Sequence, residues 1–449
     1  MTLVYPYFRP FHDDTPFRFP PLGLGYIAAY LRKYGVSVDL VDCTFLKEEE
    51  ALERVRQNAP EMIGIYSMYS MRDTAIRMAG ALRGECDLLV AGGPLPTVSP
   101  KDFLRYFDVV ALGEGEETAL QLALDNNGKD ELANIEGIAY KHDGKIKFTK
   151  PREFIKNLDT IPFPARELFD NESYRAYYSK RFGYTITSLM SSRGCPFVCE
   201  FCSRPIFGTT FRSRSARNIV DEIEAILKLG YCRIWFADDC FTLNRTRLLN
   251  VCNEIIQRGI KVEWECLSRV DTVDKETMDK MKLAGCVRLF FGIESGNDRI
   301  LSLMKKHITT GRAKEAVGIA KQSGVQVGAF FIVGYPGEQD ATILDTVRFA
   351  SALPLDYLSF TMPYPIPGTD LYDRIEGTLV SSEWAEPRKR TLVKHKLLFS
   401  SPFSEAKLKF AILKGLAQHE LRKHVGNRVY KLVGTPFEQV TDRIFKMLP

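Results

Sequence analysis

Strand and helix patterns alternate through most of this chain, which restricts it to α/β folds built on parallel sheet. Through the first ~125 residues, apolar strands at Thr2–Tyr5, Val36–Val41, Met62–Tyr66, Leu88–Ala91 and Val109–Leu112 take turns with helices near 23–34, 51–58, 71–82 and 117–124. A doubly wound unit of this kind binds ligands at the carboxyl ends of its strands. A second alternation begins at Thr185, with strands near 185–190, 232–237, 262–266, 287–291, 327–333 and 357–361. Those six βα units fall short of the eight that close a barrel. Between the two runs, Ile138–Lys141 and Lys145–Phe148 flank Asp143-Gly144, a hairpin signal, and Pro162 and Pro164 mark an extended linker. The expected organisation is a Rossmann-like domain over 1–135, a hairpin and linker over 136–184, a partial (β/α)6 barrel over 185–377 and a helical domain over 378–449.

Composition narrows the class of function. Hydrophobic residues make up 45% and charged residues 26% of the 449 positions, as in a globular protein. There is no long apolar run, and Met1-Thr2-Leu3-Val4-Tyr5-Pro6 lacks a basic stretch followed by an apolar one, so no membrane span and a cytoplasmic location are expected. A net charge of +5, from 61 basic and 56 acidic side chains, is too balanced to imply nucleic acid. The basic part is the tail: residues 381–449 hold 14 Lys or Arg against 6 Asp or Glu. That is either a solvated helical face or a surface for an acidic partner or peptide.

Of ten cysteines, seven are isolated among apolar neighbours and read as small buried hydrophobes. The other three lie in Ser192-Arg193-Gly194-Cys195-Pro196-Phe197-Val198-Cys199-Glu200-Phe201-Cys202, just after the first strand of the second run. Three thiolates on one tight loop can hold three irons of a cubane and leave the fourth without a protein ligand. A molecule offering an amine and a carboxylate can chelate that open iron. Zinc would need a fourth Cys or His nearby, and none of the six histidines repeats a zinc spacing.

This segment resembles the signature of the radical S-adenosylmethionine (SAM) superfamily, and residues ~185–375 resemble its barrel. Further phrases resemble the branch carrying an N-terminal cobalamin domain: Arg212-Ser213-Arg214-Ser215, Phe236-Ala237-Asp238-Asp239, Phe291-Gly292-Ile293-Glu294-Ser295-Gly296, Phe331-Ile332-Val333-Gly334-Tyr335-Pro336-Gly337-Glu338 and Tyr364-Pro365-Ile366-Pro367-Gly368-Thr369. The resemblance implies a [4Fe–4S] cluster on Cys195, Cys199 and Cys202, with Phe201 covering it or packing beside adenine. It also implies SAM contacts from Glu294 and Ser295 (ribose or amino group), Arg269 (carboxylate), Gly334 (close backbone approach) and Asp238.

In the first unit, Pro20-Pro21-Leu22-Gly23, Ser67-Met68-Tyr69-Ser70, Gly92-Gly93-Pro94 and Gly113-Glu114-Gly115-Glu116 resemble cobalamin-binding turns. Glycine-rich turns at successive strand ends leave room for a flat macrocycle. Expected cobalamin contacts are therefore Gly23, Ser67, Met68, Tyr69, Ser70, Gly92, Gly93, Gly113, Glu114 and Gly115. The Asp-x-His-x-x-Gly loop of methionine-synthase-like domains is absent, and the N-terminal unit's one histidine before the hairpin is His12, so a lower cobalt face without histidine is expected.

What the resemblance implies for activity is C-methylation of an unactivated carbon, using methylcobalamin and a 5′-deoxyadenosyl radical, with a reductant such as flavodoxin or ferredoxin. The chain is similar to enzymes that methylate a residue in a protein or peptide, such as the glutamine methyltransferase of methyl-coenzyme M reductase; a small-molecule substrate is the other option. An oxidative cyclase or ring-rearranging enzyme of the same branch, and a non-catalytic iron–sulfur or cobalamin carrier or sensor, are the competing readings. Methylthiotransferases usually add a second cysteine trio, which Cys43 and Cys86 cannot supply.

Overall fold

The computed structural model describes residues 1–8, 18–124, 131–380 and 396–449. His12 lies outside them.

Fifteen strands are present among the described residues. The first seven are β1 (Thr2–Tyr5), β2 (Asp39–Asp42), β3 (Met62–Tyr66), β4 (Leu88–Gly92), β5 (Val109–Ala111), β6 (Ile138–His142) and β7 (Lys145–Phe148). They form one sheet in the order β2-β1-β3-β4-β5-β6-β7. β1 to β5 pair in parallel, and the β6–β7 hairpin is added antiparallel. The strand order reverses between β1 and β3, so a crevice opens at the carboxyl ends of those two strands. Tyr5 and Tyr66, the last residues of β1 and β3, face each other there with ring centroids 5.5 Å apart. Buried Val4, Ile63, Ile65, Leu89, Ala91 and Val110 make the sheet's contribution to one side of the core.

The remaining strands are β8 (Ile186–Leu189), β9 (Ser192–Arg193), β10 (Arg212–Ser213), β11 (Arg233–Phe236), β12 (Glu263–Ser268), β13 (Cys286–Glu294), β14 (Gln326–Ile332) and β15 (Tyr357–Thr361). β9 and β10 pair with each other, and a six-stranded sheet runs β15-β14-β13-β12-β11-β8. β12 to β15 are parallel, with a register shift between Gly292 and Glu294 in β13. Both sheets match the strand positions expected from the apolar runs.

By compactness the chain divides into two units. One comprises Met1–Pro196 and Arg204–Ile234, the other Phe197–Ser203 and Trp235–Pro449, so the division cuts β11 and the three-cysteine loop. Buried polar bonds across long stretches of sequence join the first unit's segments: Arg166 Nη2 donates to Glu222 Oε1 at 2.5 Å, and Arg214 donates to both Glu222 and the Tyr26 hydroxyl.

Residues Glu405–Met447 are helical, broken at Gly426, whose φ of 72° and ψ of 161° turn the chain. The two arms return on each other: Ser404 N donates to Pro449 O at 3.1 Å, and Lys414 pairs with Asp442 at 2.8 Å. Among the described residues no helix is long and apolar enough to cross a membrane.

Candidate active site

In the second unit, the segment Phe197–Ser203 lies with the carboxyl ends of β12, β13 and β14. Glu200 fixes it: its N–H donates to Met304 O at 3.0 Å, its carbonyl accepts from Leu371 N at 3.0 Å, and its carboxylate accepts from the Tyr335 hydroxyl and from Arg374. Tyr335 also meets the Phe201 ring edge-on, with centroids 6.4 Å apart. Phe201 therefore packs against an aromatic side chain of the loop after β14.

Three charged residues stand beside this segment. Glu294 ends β13 in the left-handed region with φ of 72°, directly after the register shift, and its Oε1 pairs with Lys306 Nζ at 3.1 Å. A Cβ at Gly292 would lie 2.6 Å from that oxygen, so a side chain there would displace the carboxylate from its place beside Lys306. Lys306 is flanked by two more left-handed residues, Lys305 (φ 52°) and His307 (φ 54°). Strain of this kind persists where the surroundings over-determine it, and it collects at functional sites. Burial works against the Lys306 charge, yet Glu294 and the Cys199 sulfur hold its pKa above the ordinary lysine value. Arg269 lies 3.5 Å from the Phe197 ring centroid and donates to Lys306 O at 2.9 Å.

The other expected SAM contacts already have partners within the protein. Arg269 directs its Nε and Nη2 to Asp271 at 2.9 and 2.8 Å. The Ser295 side chain is fully buried and shares a hydrogen bond with Thr346 Oγ1 at 3.0 Å. Asp238 is buried against Arg247 at 3.2 Å. At Gly334 a Cβ would strike Leu408 Cδ1 at 2.5 Å, so its close approach is to the C-terminal hairpin.

Glu338, to which the sequence assigned no role, organises the loop after β14. Its Oε2 accepts from Gly334 N at 2.6 Å and Tyr335 N at 2.9 Å. Burial pushes its carboxyl from an ordinary 4.5 up to about 8, against those backbone bonds, which favour the anion. The unfolded chain loses this proton near 4.5 and the folded chain keeps it to about 8, so stability from this group is complete below pH 4.5 and declines up to pH 8. In thermal melts from pH 5 to 8, Glu338→Gln should remove a downward trend worth on the order of 1 kcal/mol or more. Parallel melting profiles for the two proteins would contradict this.

In the first unit, the cobalamin-type turns form a shelf at the ends of β3, β4 and β5. Ser67 N donates to Gly92 O at 2.8 Å, Thr97 Oγ1 to Gly93 O at 2.9 Å, and Gly113 N to Thr97 Oγ1 at 3.2 Å. Gly93 has a φ of 108°, and a Cβ there would lie 2.7 Å from Ser67 O. The structure thus brings Ser67, Gly92, Gly93 and Gly113 together, with Thr97 as a member the sequence did not reveal. Met68 and Tyr69 are half-buried and Ser70 is exposed beyond them; Ser67 itself is buried with its hydroxyl on Met68 O. Gly23 is exposed at its helix start, while Gly115 packs on Ile27. The Glu114 carboxylate is buried and accepts from Arg193 and Arg212.

Donor chemistry fits the implied groups. Cys195 is half-buried, Cys199 buried and Cys202 exposed, and none of the three is in a disulfide. Among the described residues, no three His, Cys, Asp or Glu side chains are gathered to hold one metal ion. In a cubane each thiolate goes to its own iron, so its ligands need not converge on one point.

Residues 189–350 match the radical SAM superfamily, and residues 13–123 match the B12 binding domain. An uncharacterized methyltransferase of Pyrococcus horikoshii is 34% identical over 363 residues, covering 79% of this chain and 78% of that protein. The chain belongs to the cobalamin-dependent radical SAM methyltransferase family. An anaerobic magnesium-protoporphyrin IX monomethyl ester cyclase of Cereibacter sphaeroides is 27% identical across 84% of this radical SAM chain and 63% of its own length. The structure of TsrM from Kitasatospora setae with cobalamin and a [4Fe–4S] cluster bound superposes with a TM-score of 0.73 at 17% identity, covering 93% of this chain and 88% of TsrM, which establishes the shared fold. Lys306, Glu338, Glu200, Tyr335 and Thr97 hold these loops in place and stand outside the contacts that the motifs singled out.

Proposed function

We propose that this chain methylates an unactivated carbon, with the cluster on Cys195, Cys199 and Cys202 and cobalamin on the shelf at the ends of β3 to β5. Bound together, these groups supply an electron for reductive cleavage of SAM and a methyl group for the resulting substrate radical. The chain's own residues bind, orient and exclude water. Glu200, Tyr335 and Arg374 hold the loop bearing Cys199 and Cys202 against the end of β14. The buried pair Glu294–Lys306 offers one negative and one positive partner, a match for an amino acid group carrying both charges. That pair, held by three left-handed residues beside the cluster loop, is the observation that carries the reading.

As substrate we favour a residue in a protein or peptide, with glutamine of methyl-coenzyme M reductase the first to try, because the chain adds a basic helical hairpin after the last strand. Electrons would come from a cytoplasmic flavodoxin or ferredoxin. Likeness to the cyclase favours a second reading, oxidative cyclisation without methyl transfer. Anaerobic turnover with methyl-labelled SAM separates them. Label in the product together with 5′-deoxyadenosine is expected; 5′-deoxyadenosine with unlabelled product would establish the second reading, and no 5′-deoxyadenosine would leave a carrier or sensor.

A further inference from the structure

The Arg193 that precedes the cluster loop and the Glu114 inside a cobalamin-type turn are 79 positions apart in sequence, yet they share a buried hydrogen bond of 2.8 Å. Arg193 Nη2 donates to Glu116 Oε1 at 2.5 Å, and Arg212 Nη1 donates to both Glu114 oxygens at 2.9 Å. Glu114 Oε2 further accepts from Ile155 N at 2.9 Å. Two guanidinium groups thus meet two carboxylates, a neutral set whose side chains are 3–7% exposed. Burial opposes the charge on Arg193, and Glu116 and Glu114 outweigh it, so its pKa lies above the ordinary guanidinium value.

Buried ion pairs are poor sources of stability compared with apolar packing of the same volume, so a neutral quartet retained in the interior invites a role in geometry. Its position supplies one. Arg193 pairs with Arg212 in the β9–β10 ladder, and its guanidinium lies 5.1 Å from the Phe207 ring centroid. Gly194 follows with a φ of 84°, where a Cβ would lie 2.3 Å from Thr210 O, and Cys195 N donates to Gly208 O at 3.4 Å. No slack remains between the Arg193 side chain and the Cys195 backbone. At the other end Glu114 sits between Gly113, whose N–H is tied to the shelf through Thr97, and Gly115, which packs on Ile27.

We propose that Glu114 and Arg193 form a positioning brace through which a corrinoid seated on the glycine shelf steadies Cys195 and the cluster it carries. The proposal rests on the cofactor reading above. Neither residue is catalytic; both act through Cys195.

The test uses the full chain, reconstituted anaerobically with iron and sulfide, with and without hydroxocobalamin. Iron lost to an added chelator is followed by elemental analysis, beside circular dichroism and the low-temperature spectrum of the reduced cluster. In the unaltered protein hydroxocobalamin should slow iron loss severalfold. Arg193→Lys, which keeps the charge but not the fork, and Glu114→Gln should lose iron faster and gain no protection, at unchanged circular dichroism. Glu222→Gln disturbs equally buried ion pairs, to Arg166 and Arg214, in which neither Glu114 nor Arg193 takes part, and should keep the protection. If Glu114→Gln does not fold, Arg193→Lys decides. Protection retained in Arg193→Lys, protection lost equally in Glu222→Gln, or a cluster indifferent to hydroxocobalamin in the unaltered protein would each overturn the brace. Failure of the unaltered protein to hold any cluster would overturn the cofactor reading, and the brace with it.

Discussion

Cys199→Ser should abolish the cluster: iron bound after anaerobic reconstitution should collapse, and 5′-deoxyadenosine formation should fall by at least about 100-fold, ~2.7 kcal/mol of lost barrier reduction. Serine matches the thiol in shape but is a poor ligand for iron in a sulfur cluster, so a cubane left with two protein corners has no secure seat. Cys199 is the most informative of the three because it is buried, beside Glu200 with its four anchoring bonds. The fold should survive, since the neighbours are held by those bonds and not by the sulfur. A Cys199→Ser protein retaining a SAM-responsive cluster signal would remove this residue from the ligand set.

Lys306→Met should have the second largest effect. Deleting one partner of a buried ion pair leaves the other charge uncompensated, a loss of about 3–5 kcal/mol unless the survivor takes up a proton. Glu294, 8% exposed and fixed in a left-handed conformation, cannot swing to water. The pocket then lacks its positive partner for an incoming carboxylate. SAM affinity measured by equilibrium dialysis on the cluster-loaded protein should then weaken by about tenfold or more, ~1.4 kcal/mol. Lys306→Arg should restore part of it. Unchanged affinity in Lys306→Met would show that the pair is structural.

The strands were legible because each is a short apolar run closed by a turn, and that local pattern survives folding. Pairings such as Arg193 with Glu114 and Arg212 with Glu114, separated by 79 and 98 positions, leave no trace in periodicity, so membership of a compact unit is not read from it. At the site, Cys195, Cys199 and Cys202 announced themselves by spacing. For Ser295 and Asp238 a place at a strand end does not say which way the side chain turns: one reaches Thr346, the other Arg247. Lys306 lies among residues with no repeating pattern, and its importance appears only with the left-handed backbone around it. Glu338 stood inside a quoted phrase, but its work is on two N–H groups of the same loop, which residue identity alone does not disclose.

The contact between Gly334 and Leu408 ties the hairpin to the cofactor-side loop as a door is tied to its stop. Leu408 fills the place where any side chain at 334 would go, and Lys407 beside it is moored to Asp340 at 2.9 Å. The hairpin thereby backs the turn from which Tyr335 reaches Glu200, so the tail of the chain steadies a loop that it follows only at a distance in sequence.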